Sequence, residues 1–293
     1  MAQTQGAVTV AGTRVRFGVA IAEEHLGEGA PVPFQGGILE GMESAARLGF
    51  DSVELHVRDP HTLDARMIAE RADALGLSVA AIGTGLEHSL NGHCLTSSSA
   101  QARRAARDAM LRHIEFAANF SAVVFIGLIR GRAPEFAAIE RTLDLFAEEL
   151  LPVAAAAEQA GVPTGLEPVA YYFSNLLNTT AETVEFAQRP GLESLGLLID
   201  THHIVLEDPS QAEAFALAGP RITHVHASDS NRRRPGAGNV DWNEVASALD
   251  TTGYNGSVSL EVLPLPSGEE AAHRGLEHLR SVWAHLHTQR HPL

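Results

Sequence analysis

The sequence predicts an α/β protein that forms a single (β/α)8 barrel. Short runs rich in β-branched residues alternate with longer stretches of Ala, Leu, Glu and Arg along the chain, and no linker or low-complexity tract interrupts them. Strands that alternate with helices indicate a parallel sheet. A length of 293 residues suits one closed barrel. We therefore expect one TIM-barrel domain over residues 1–293, with its core at about 14–287.

The apolar runs predict eight strands, and the segments between them predict eight helices. The strands are expected at residues 14–20, 52–56, 78–82, 123–129, 163–168, 195–200, 222–226 and 257–263. The helices are expected at residues 37–48, 64–75, 101–119, 138–159, 180–188, 211–218, 242–249 and 269–287. The first two helices end before Gly49 and Gly76, where a left-handed residue commonly terminates a helix.

An open, doubly wound sheet is the alternative arrangement for this alternation. That fold binds dinucleotides through a G-x-G-x-x-G loop that follows a strand. The nearest match, Gly83-Thr84-Gly85, lacks the third glycine. The sequence therefore favours the barrel and gives only a weak signal for dinucleotide binding.

Composition and charge exclude several classes of function. The chain has 21 Lys and Arg against 36 Asp and Glu, a net charge of −15, which argues against binding to nucleic-acid phosphates. No apolar run approaches the roughly 18 residues of a membrane span, and no signal peptide is visible. The single cysteine, Cys94, cannot form an internal disulfide. We expect a cytoplasmic protein with no nucleic-acid or membrane partner.

Four consecutive predicted strands end in residue types that bind metal ions. Glu167, Asp200, His226 and Glu261 lie at or near the ends of the fifth to eighth strands, about one βα unit apart. The C-terminal strand ends of a barrel face one mouth, so these side chains should converge. A single strand-end carboxylate is more often hydrogen-bonded to a loop amide. Four in successive units favour a cation site, because unpaired buried charges are costly.

The donor set indicates which ions would bind. Three carboxylates and one imidazole suit Mn²⁺, Co²⁺, Mg²⁺ or Zn²⁺, and we expect Mn²⁺ first because the site is rich in oxygen and has one imidazole. The single cysteine excludes a thiolate zinc cluster.

Several segments resemble the sugar isomerase/epimerase family of xylose-isomerase-like TIM barrels. They are LGFDSVELHVRDP (48–60), AAIGTG (80–85), FIGLIRGR (125–132), LIDTHHI (198–204), HVHASDSNRRRPGAG (224–238) and SLEVLPLP (259–266). Within that family the chain is most similar to the ketose 3-epimerases and to 5-keto-L-gluconate epimerase, from about residue 14 to 285.

The resemblance implies a role for six residues. It implies that the four strand-end residues hold one divalent metal ion and that His203 and Arg232 contact the sugar. Packing at a helix start for His203, and a solvated loop for Arg232, are the structural alternatives. The resemblance also implies a homodimer or homotetramer.

The expected chemistry follows from charge. Epimerisation beside a ketone requires a proton to leave one face and another to arrive on the opposite face, which one base cannot do unaided. Glu167 and Glu261 are the candidate catalytic pair, and the metal would stabilise the enediolate. The expected function is a divalent-metal-dependent epimerase or isomerase of a ketose or keto-sugar acid.

The loop after Glu167 departs from the family pattern. The epimerases usually carry an Asn-Arg pair and a second glutamate here, whereas this chain has Ala170, Tyr171 and Phe173. Phe173 cannot make the hydrogen bond to the sugar that the resemblance assigns to that glutamate. The loop aromatics therefore either pack against a helix or a second subunit, or line the pocket for an apolar part of the substrate.

Other strand ends leave two alternatives open. Glu54 and His56 close the second predicted strand, and Arg130 and Arg132 follow the fourth. These residues either line the pocket or pair as structural ions.

Three other functions compete with epimerisation. The same proton abstraction followed by β-elimination would make the chain a lyase, either a dehydratase or a 3-keto-glycoside deglycosylase. DNA-repair endonucleases share the barrel, but the acidic composition disfavours them. A barrel that only binds sugar is disfavoured by the presence of both Glu167 and Glu261.

Overall fold

The structure is a computed structural model that describes residues 15–290. Within these residues the strands are β1 (Arg16–Ala22), β2 (Phe34–Gln35), β3 (Ser52–His56), β4 (Ser78–Gly83), β5 (Val123–Ile126), β6 (Thr164–Leu166), β7 (Gly196–Asp200), β8 (Ile222–Ala227) and β9 (Ser257–Leu260). The α-helices are α1 (Ile38–Leu48), α2 (Ala65–Leu75), α3 (Gly85–Ser89), α4 (Ala100–Ala118), α5 (Ile139–Ala160), α6 (Thr180–Phe186), α7 (Thr201–Glu207), α8 (Gln211–Ala218), α9 (Trp242–Thr252) and α10 (Gly268–Arg290).

Eight of these strands close into a parallel barrel. Each strand from β3 to β9 pairs with the next in chain order, and β9 pairs back onto β1 with Arg16 opposite Ser257. The short β2 pairs with the C-terminal end of β1, at Ile21 and Ala22, beyond the residues that pair with β9. The predicted (β/α)8 barrel is confirmed. The extent of the single domain over residues 1–293 stays a prediction, since residues 1–14 and 291–293 lie outside the described part.

Most predicted elements match the observed ones within a few residues. Gly49 and Gly76 end α1 and α2 with φ values of 91° and 68°, as their sequence positions predict. The first predicted strand begins at Arg14, which lies outside the described residues; the observed strand begins at Arg16. The sequence did not predict β2, α3 or α7, because each is too short to produce a hydrophobic period.

The predicted strand at 123–129 is too long. The strand ends at Ile126, because Gly127 leaves the extended region with φ −102° and ψ −115° and a 3₁₀ turn follows over Leu128–Arg130. The apolar sequence continues through this turn because Ile129 is buried as well. An apolar run in the sequence indicates burial, and here the burial extends beyond the strand into the turn.

Arg130 ties the ends of β5 and β6 together. Its side chain is fully buried, and its guanidinium donates to the carbonyls of Ile126 at 2.9 Å, Gly127 at 3.0 Å and Leu176 at 3.3 Å, and to the carbonyl of Glu167. Burial lowers the pKa of Arg130 to about 10, although Glu167 opposes the shift. Arg130 is therefore a structural cation that fixes the backbone beside Glu167. It neither lines the cavity nor pairs with Glu54 or His56, the two alternatives that the sequence left open.

We expect Arg130→Met to lower the free energy of unfolding by about 3 kcal/mol, because several buried carbonyls lose their donor. Urea titration followed by circular dichroism would measure the change. Arg132→Met is the matched control, since Arg132 is exposed two residues further on. Equal unfolding midpoints for the two variants would contradict this structural role.

Candidate active site

The four predicted metal ligands lie together at the C-terminal mouth of the barrel. Glu167 follows β6, Asp200 ends β7, His226 lies in β8 and Glu261 follows β9. The Nδ1 atom of His226 lies 3.6 Å from Glu167 Oε1, 3.7 Å from Asp200 Oδ2 and 3.4 Å from Glu261 Oε2. Atoms bound about 2.1 Å from one ion would stand roughly 3.0–3.4 Å apart at octahedral or tetrahedral angles. Nδ1 of His226 is thus close to this spacing from each of the three carboxylates.

The residues present fit a divalent metal ion. The Nδ1 atom of His226 is buried and has no hydrogen-bond partner, yet it faces three carboxylates. An unpartnered buried ring nitrogen is costly unless a ligand satisfies it. Glu167, Asp200 and His226 also present donor atoms that lie within 4.8 Å of one another. Carboxylate oxygens with one imidazole nitrogen form a donor set for Mn²⁺ or a similar ion.

Glu54 orients the imidazole of His226. Its fully buried carboxylate lies 3.0 Å from Nε2 of His226, 2.6 Å from Nε2 of His224 and 2.8 Å from Nε2 of His56. Burial alone would raise the pKa of Glu54, but the surrounding imidazoles lower it well below its usual range. The ionised carboxylate can only accept, so Nε2 of His226 carries the hydrogen. Burial would lower the pKa of His226, but the carboxylates around the ring, Glu54 first and then Glu261, raise it well above its usual range. A metal ion would take the place of a proton on Nδ1.

The sequence leaves open whether Glu54 lines the pocket or forms an ion pair, and it indicates no role for His224. Glu54 proves to pair with His56 and also to reach across the barrel to β8. One signal was available for His224: it lies two residues before His226, so both side chains point into the barrel. No sequence pattern pairs β3 with β8, since these strands are not neighbours in the sheet.

The two carboxylate oxygens of Asp200 have different roles, one in capping a helix and one in the candidate site. Oδ1 accepts from the backbone N–H of His202 at 2.8 Å and so caps the start of α7. Oδ2 faces Nδ1 of His226 and accepts from the guanidinium of Arg232. Burial would raise the pKa of Asp200, but Arg232 and then His203 hold it well below its usual range. The carboxylate is therefore ionised where a cation would lie.

His203 lies beside the cluster as a neutral hydrogen-bond donor. Its Nδ1 accepts from the backbone N–H of Ala170 at 3.3 Å, which places the hydrogen on Nε2. Nε2 lies 3.8 Å from Glu167 Oε1 and 3.8 Å from Asp200 Oδ2. Burial lowers the pKa of His203 to about 4, so the ring is uncharged at neutral pH. The residue packs at the start of α7 and also faces the cavity.

The side chain of Arg232 is 14% exposed and faces the site, so it does not lie in a solvated loop. Its guanidinium forms ion pairs with Asp200 and Glu261, two of the predicted metal ligands. Its backbone has φ 60°, a left-handed conformation that is uncommon for a residue with a side chain. Two backbone hydrogen bonds hold this conformation, to Asp229 at 2.8 Å and from Leu263 at 2.8 Å. Such conformations often mark functional loops.

Asp229 anchors the loop that carries Arg232. Its carboxylate accepts from the backbone N–H groups of Ser230 at 2.8 Å and Gly236 at 2.9 Å, and from the indole of Trp242 at 3.1 Å. Burial would raise the pKa of Asp229, but hydrogen bonds from the backbone N–H of Val240, the indole of Trp242 and the backbone N–H of Ser230 lower it. The loop is therefore held from within, and Arg232 is directed at the carboxylates.

Glu167 and Glu261 differ in their surroundings. Burial would raise the pKa of Glu167, but His226 and His203 lower it. Burial raises the pKa of Glu261, and the cations Arg232 and His226 only partly oppose the shift. Gly127 provides the space for Glu167, since a Cβ at Gly127 would lie 2.6 Å from Oε2. Both carboxylates line one cavity of about 390 Å³.

The aromatic loop, Tyr171–Phe173, divides between packing and the cavity. Tyr171 stacks on Phe136 with ring centroids 6.1 Å apart, and the Tyr172 hydroxyl lies 2.6 Å from Nε2 of His202. Phe173 lines the cavity, and its ring meets that of His203 edge-on at 5.6 Å. Tyr171 and Tyr172 therefore make their contacts outside this cavity, although both side chains are exposed, whereas Phe173 forms part of the pocket wall.

The chain belongs to the family described as xylose isomerase-like TIM barrel. The family profile matches residues 42–282, which is most of the chain. This match confirms the resemblance that the sequence segments indicated. Within residues 15–290 no helix is long and apolar enough to cross a membrane.

Relatives of this chain are named as sugar epimerases. L-ribulose 3-epimerase of Mesorhizobium japonicum is 30% identical over 247 residues, which cover 83% of this chain and 81% of the relative. D-psicose 3-epimerase of Agrobacterium fabrum is 28% identical over 227 residues, covering 75% of this chain and 77% of the relative. The crystal structure of 3-keto-D-glucoside 4-epimerase from Escherichia coli has the same fold, with a TM-score of 0.74, 18% identity, and coverage of 92% of this chain and 100% of that one.

We expect Glu54→Gln to weaken Mn²⁺ binding by about 10- to 100-fold, because a neutral amide no longer selects the tautomer with its lone pair on Nδ1 of His226. Calorimetric titration of the chelator-treated protein with Mn²⁺ measures the affinity directly. Glu149→Gln is the matched control, since Glu149 is also a buried, ion-paired glutamate but lies between α4 and α5. Equal Mn²⁺ affinities in both variants would rule out the orienting role.

Proposed function

We propose that the chain is a divalent-metal-dependent epimerase acting on a ketose or keto-sugar acid. The observation that carries the proposal is the unpartnered Nδ1 of His226, which lies 3.4–3.7 Å from carboxylates on three other strand ends. The relatives named L-ribulose 3-epimerase and D-psicose 3-epimerase support a reaction on a small sugar. When bound, a divalent ion supplies the positive charge that lowers the energy of an enediolate.

The ion would be held by the four strand-end residues. We propose Mn²⁺, because the donor set is three carboxylates and one imidazole. We also propose a homodimer or homotetramer and a cytoplasmic location, as expected from the sequence.

Glu167 and Glu261 are the proposed proton-transfer pair. They lie on β6 and β9 ends, with the β7 and β8 ends between them, and both line the cavity. A sugar bound between these carboxylates would present one face to each. One glutamate would take the proton from the carbon beside the carbonyl, and the other would return a proton to the opposite face.

His203 and Arg232 are the proposed substrate-binding residues. The neutral ring of His203 offers its Nε2–H into the cavity and can donate to a sugar oxygen. Arg232 supplies a largely buried cation that pairs with Asp200 and lines the cavity, which suits an enolate oxygen or the carboxylate of a keto acid. Gly127 keeps the space in front of Glu167 open.

A lyase is the second candidate function. It would use the same two glutamates to remove a proton, after which a β-substituent of the sugar would leave. Phe173 favours this candidate, because an aromatic side chain in the cavity wall suits a substrate with an apolar leaving group.

We expect incubation with Mn²⁺ and a panel of ketoses, keto-uronates and 3-keto glycosides in D₂O to give a new epimer that carries deuterium at the inverted carbon. NMR and mass spectrometry would identify the product. Loss of water or of an aglycone from the substrate would instead identify the reaction as an elimination. The absence of both exchange and product over the whole panel would contradict the proposal.

We expect Glu261→Gln and Glu167→Gln each to lower kcat by about 10²- to 10⁴-fold, since each removes one proton-transfer group. Metal content, measured for each variant by atomic absorption, separates lost catalysis from lost metal. Glu149→Gln serves again as the control and should keep full activity. Unchanged turnover in metal-loaded Glu261→Gln would leave binding as the only role of that carboxylate.

A further inference from the structure

The cavity has two chemically different sides. One side carries the polar groups already described, among them Glu167, Glu261, His203 and Arg232. The other side is built mainly from apolar side chains in the segments that follow β1, β4, β5 and β6. These side chains are Leu26, Val32, Leu86, Leu90, Leu128 and Phe173. We call this side the apolar wall.

Two members of the apolar wall are exposed to an extent that packing does not explain. Phe173 is 42% exposed and Leu90 is 44% exposed, although both line a concave cavity. Large apolar side chains exposed together in a cavity mark a place where a ligand is buried. The free energy of removing such surface from water would contribute to binding.

The apolar wall offers few hydrogen-bond partners to a hydroxylated ligand. Among the described residues that line this side of the cavity, the polar side chains are the exposed His25 and Ser89. Each sugar hydroxyl that loses water without gaining a partner lowers affinity. This side therefore suits a part of the substrate that carries few hydroxyl groups.

The apolar wall adjoins the reacting end of the cavity. The ring of Phe173 lies 5.6 Å from the ring of His203, whose Nε2 is 3.8 Å from Glu167 Oε1. A group resting on Phe173 would therefore be only about one sugar ring away from the carboxylates. The cavity volume of about 390 Å³ lies in the range of roughly 300–1,000 Å³ that holds drug-sized ligands.

We propose that the apolar wall is a binding subsite for an aromatic group attached to the sugar. The substrate is then a keto-glycoside with an aromatic aglycone, and Phe173 and Leu90 determine this specificity. The inference rests on the proposed function for the identity of the sugar part. It adds the chemical class of the substituent, which the carboxylate cluster alone does not define.

The test measures binding without turnover. The Mn²⁺-loaded full chain is titrated by calorimetry with 4-nitrophenyl β-D-glucopyranoside and with methyl β-D-glucopyranoside, which share a sugar and differ in the aglycone. We expect the aryl glucoside to bind at least about tenfold more tightly. Equal affinities, or no measurable binding of the aryl glucoside, would overturn the proposal.

Variants assign the preference to the apolar wall. Phe173→Ala should weaken aryl glucoside binding by about tenfold and leave methyl glucoside binding unchanged, whereas Phe173→Tyr should keep the preference. Phe136→Ala is the control, because Phe136 is an exposed aromatic that stacks on Tyr171 and does not line this cavity. An unchanged preference in Phe173→Ala would overturn the proposal, as would a preference lost equally in Phe136→Ala.

The outcomes separate this inference from the proposed function. Deuterium exchange into free ketoses, at rates equal to those for aryl keto-glycosides, would overturn the subsite and leave the epimerase intact. Aryl preference in binding without deuterium exchange into any sugar would support the subsite and contradict the epimerase. Gel filtration of Phe173→Ala provides a further check, because a changed oligomeric state would assign Phe173 to a contact between copies and overturn the subsite.

Discussion

The candidate site depends on one buried imidazole that is held from both sides. Glu54 accepts the hydrogen of Nε2 of His226, and the unpartnered Nδ1 faces three carboxylates. Because several carboxylates share a region of low dielectric, each would raise the free energy of the others unless positive charge lay between them. Arg232 provides part of that charge, and a divalent ion bound at Nδ1 of His226 would provide the rest. The carboxylates at the barrel mouth therefore need nearby positive charge to be stable, whether or not they take part in catalysis.

The barrel meets this requirement by strand register and by buried polar anchors. Successive strands β6 to β9 each contribute one group at or just after the C-terminal end, and Asp200 pairs directly with His226 in the sheet. Convergence at one mouth follows from this topology. Arg130 then fixes the backbone at Glu167, and Asp229 fixes the loop that carries Arg232. Asp200 links the two functions in one side chain, since one oxygen caps α7 and the other faces His226. The groups proposed to react are therefore positioned by Arg130 and Asp229, which take no part in the proposed reaction.

The sequence was sufficient for the barrel and for the strand-end groups, and insufficient for contacts across the barrel. Alternation of apolar runs predicts strands, and the polar residue that ends each run is visible in one dimension. Glu54 could not be assigned in this way, because its partners His224 and His226 lie on a strand that is not adjacent to β3. Arg232 likewise belongs to a loop whose left-handed residue carries no pattern, and only the fold shows that its guanidinium turns inward.

The carboxylate cluster and the apolar wall of the cavity lie on different parts of the barrel. The carboxylates and His226 lie on or directly after barrel strands, where a change would expose or bury charge and destabilise the fold. Phe173 and Leu90 lie on segments beyond the strand ends, and both side chains are partly exposed. Replacing such a side chain costs little stability, yet it alters which part of a substrate the cavity can desolvate. A difference in such a segment can therefore alter specificity without disturbing the strand-end cluster, and Phe173 lies in a segment of this kind.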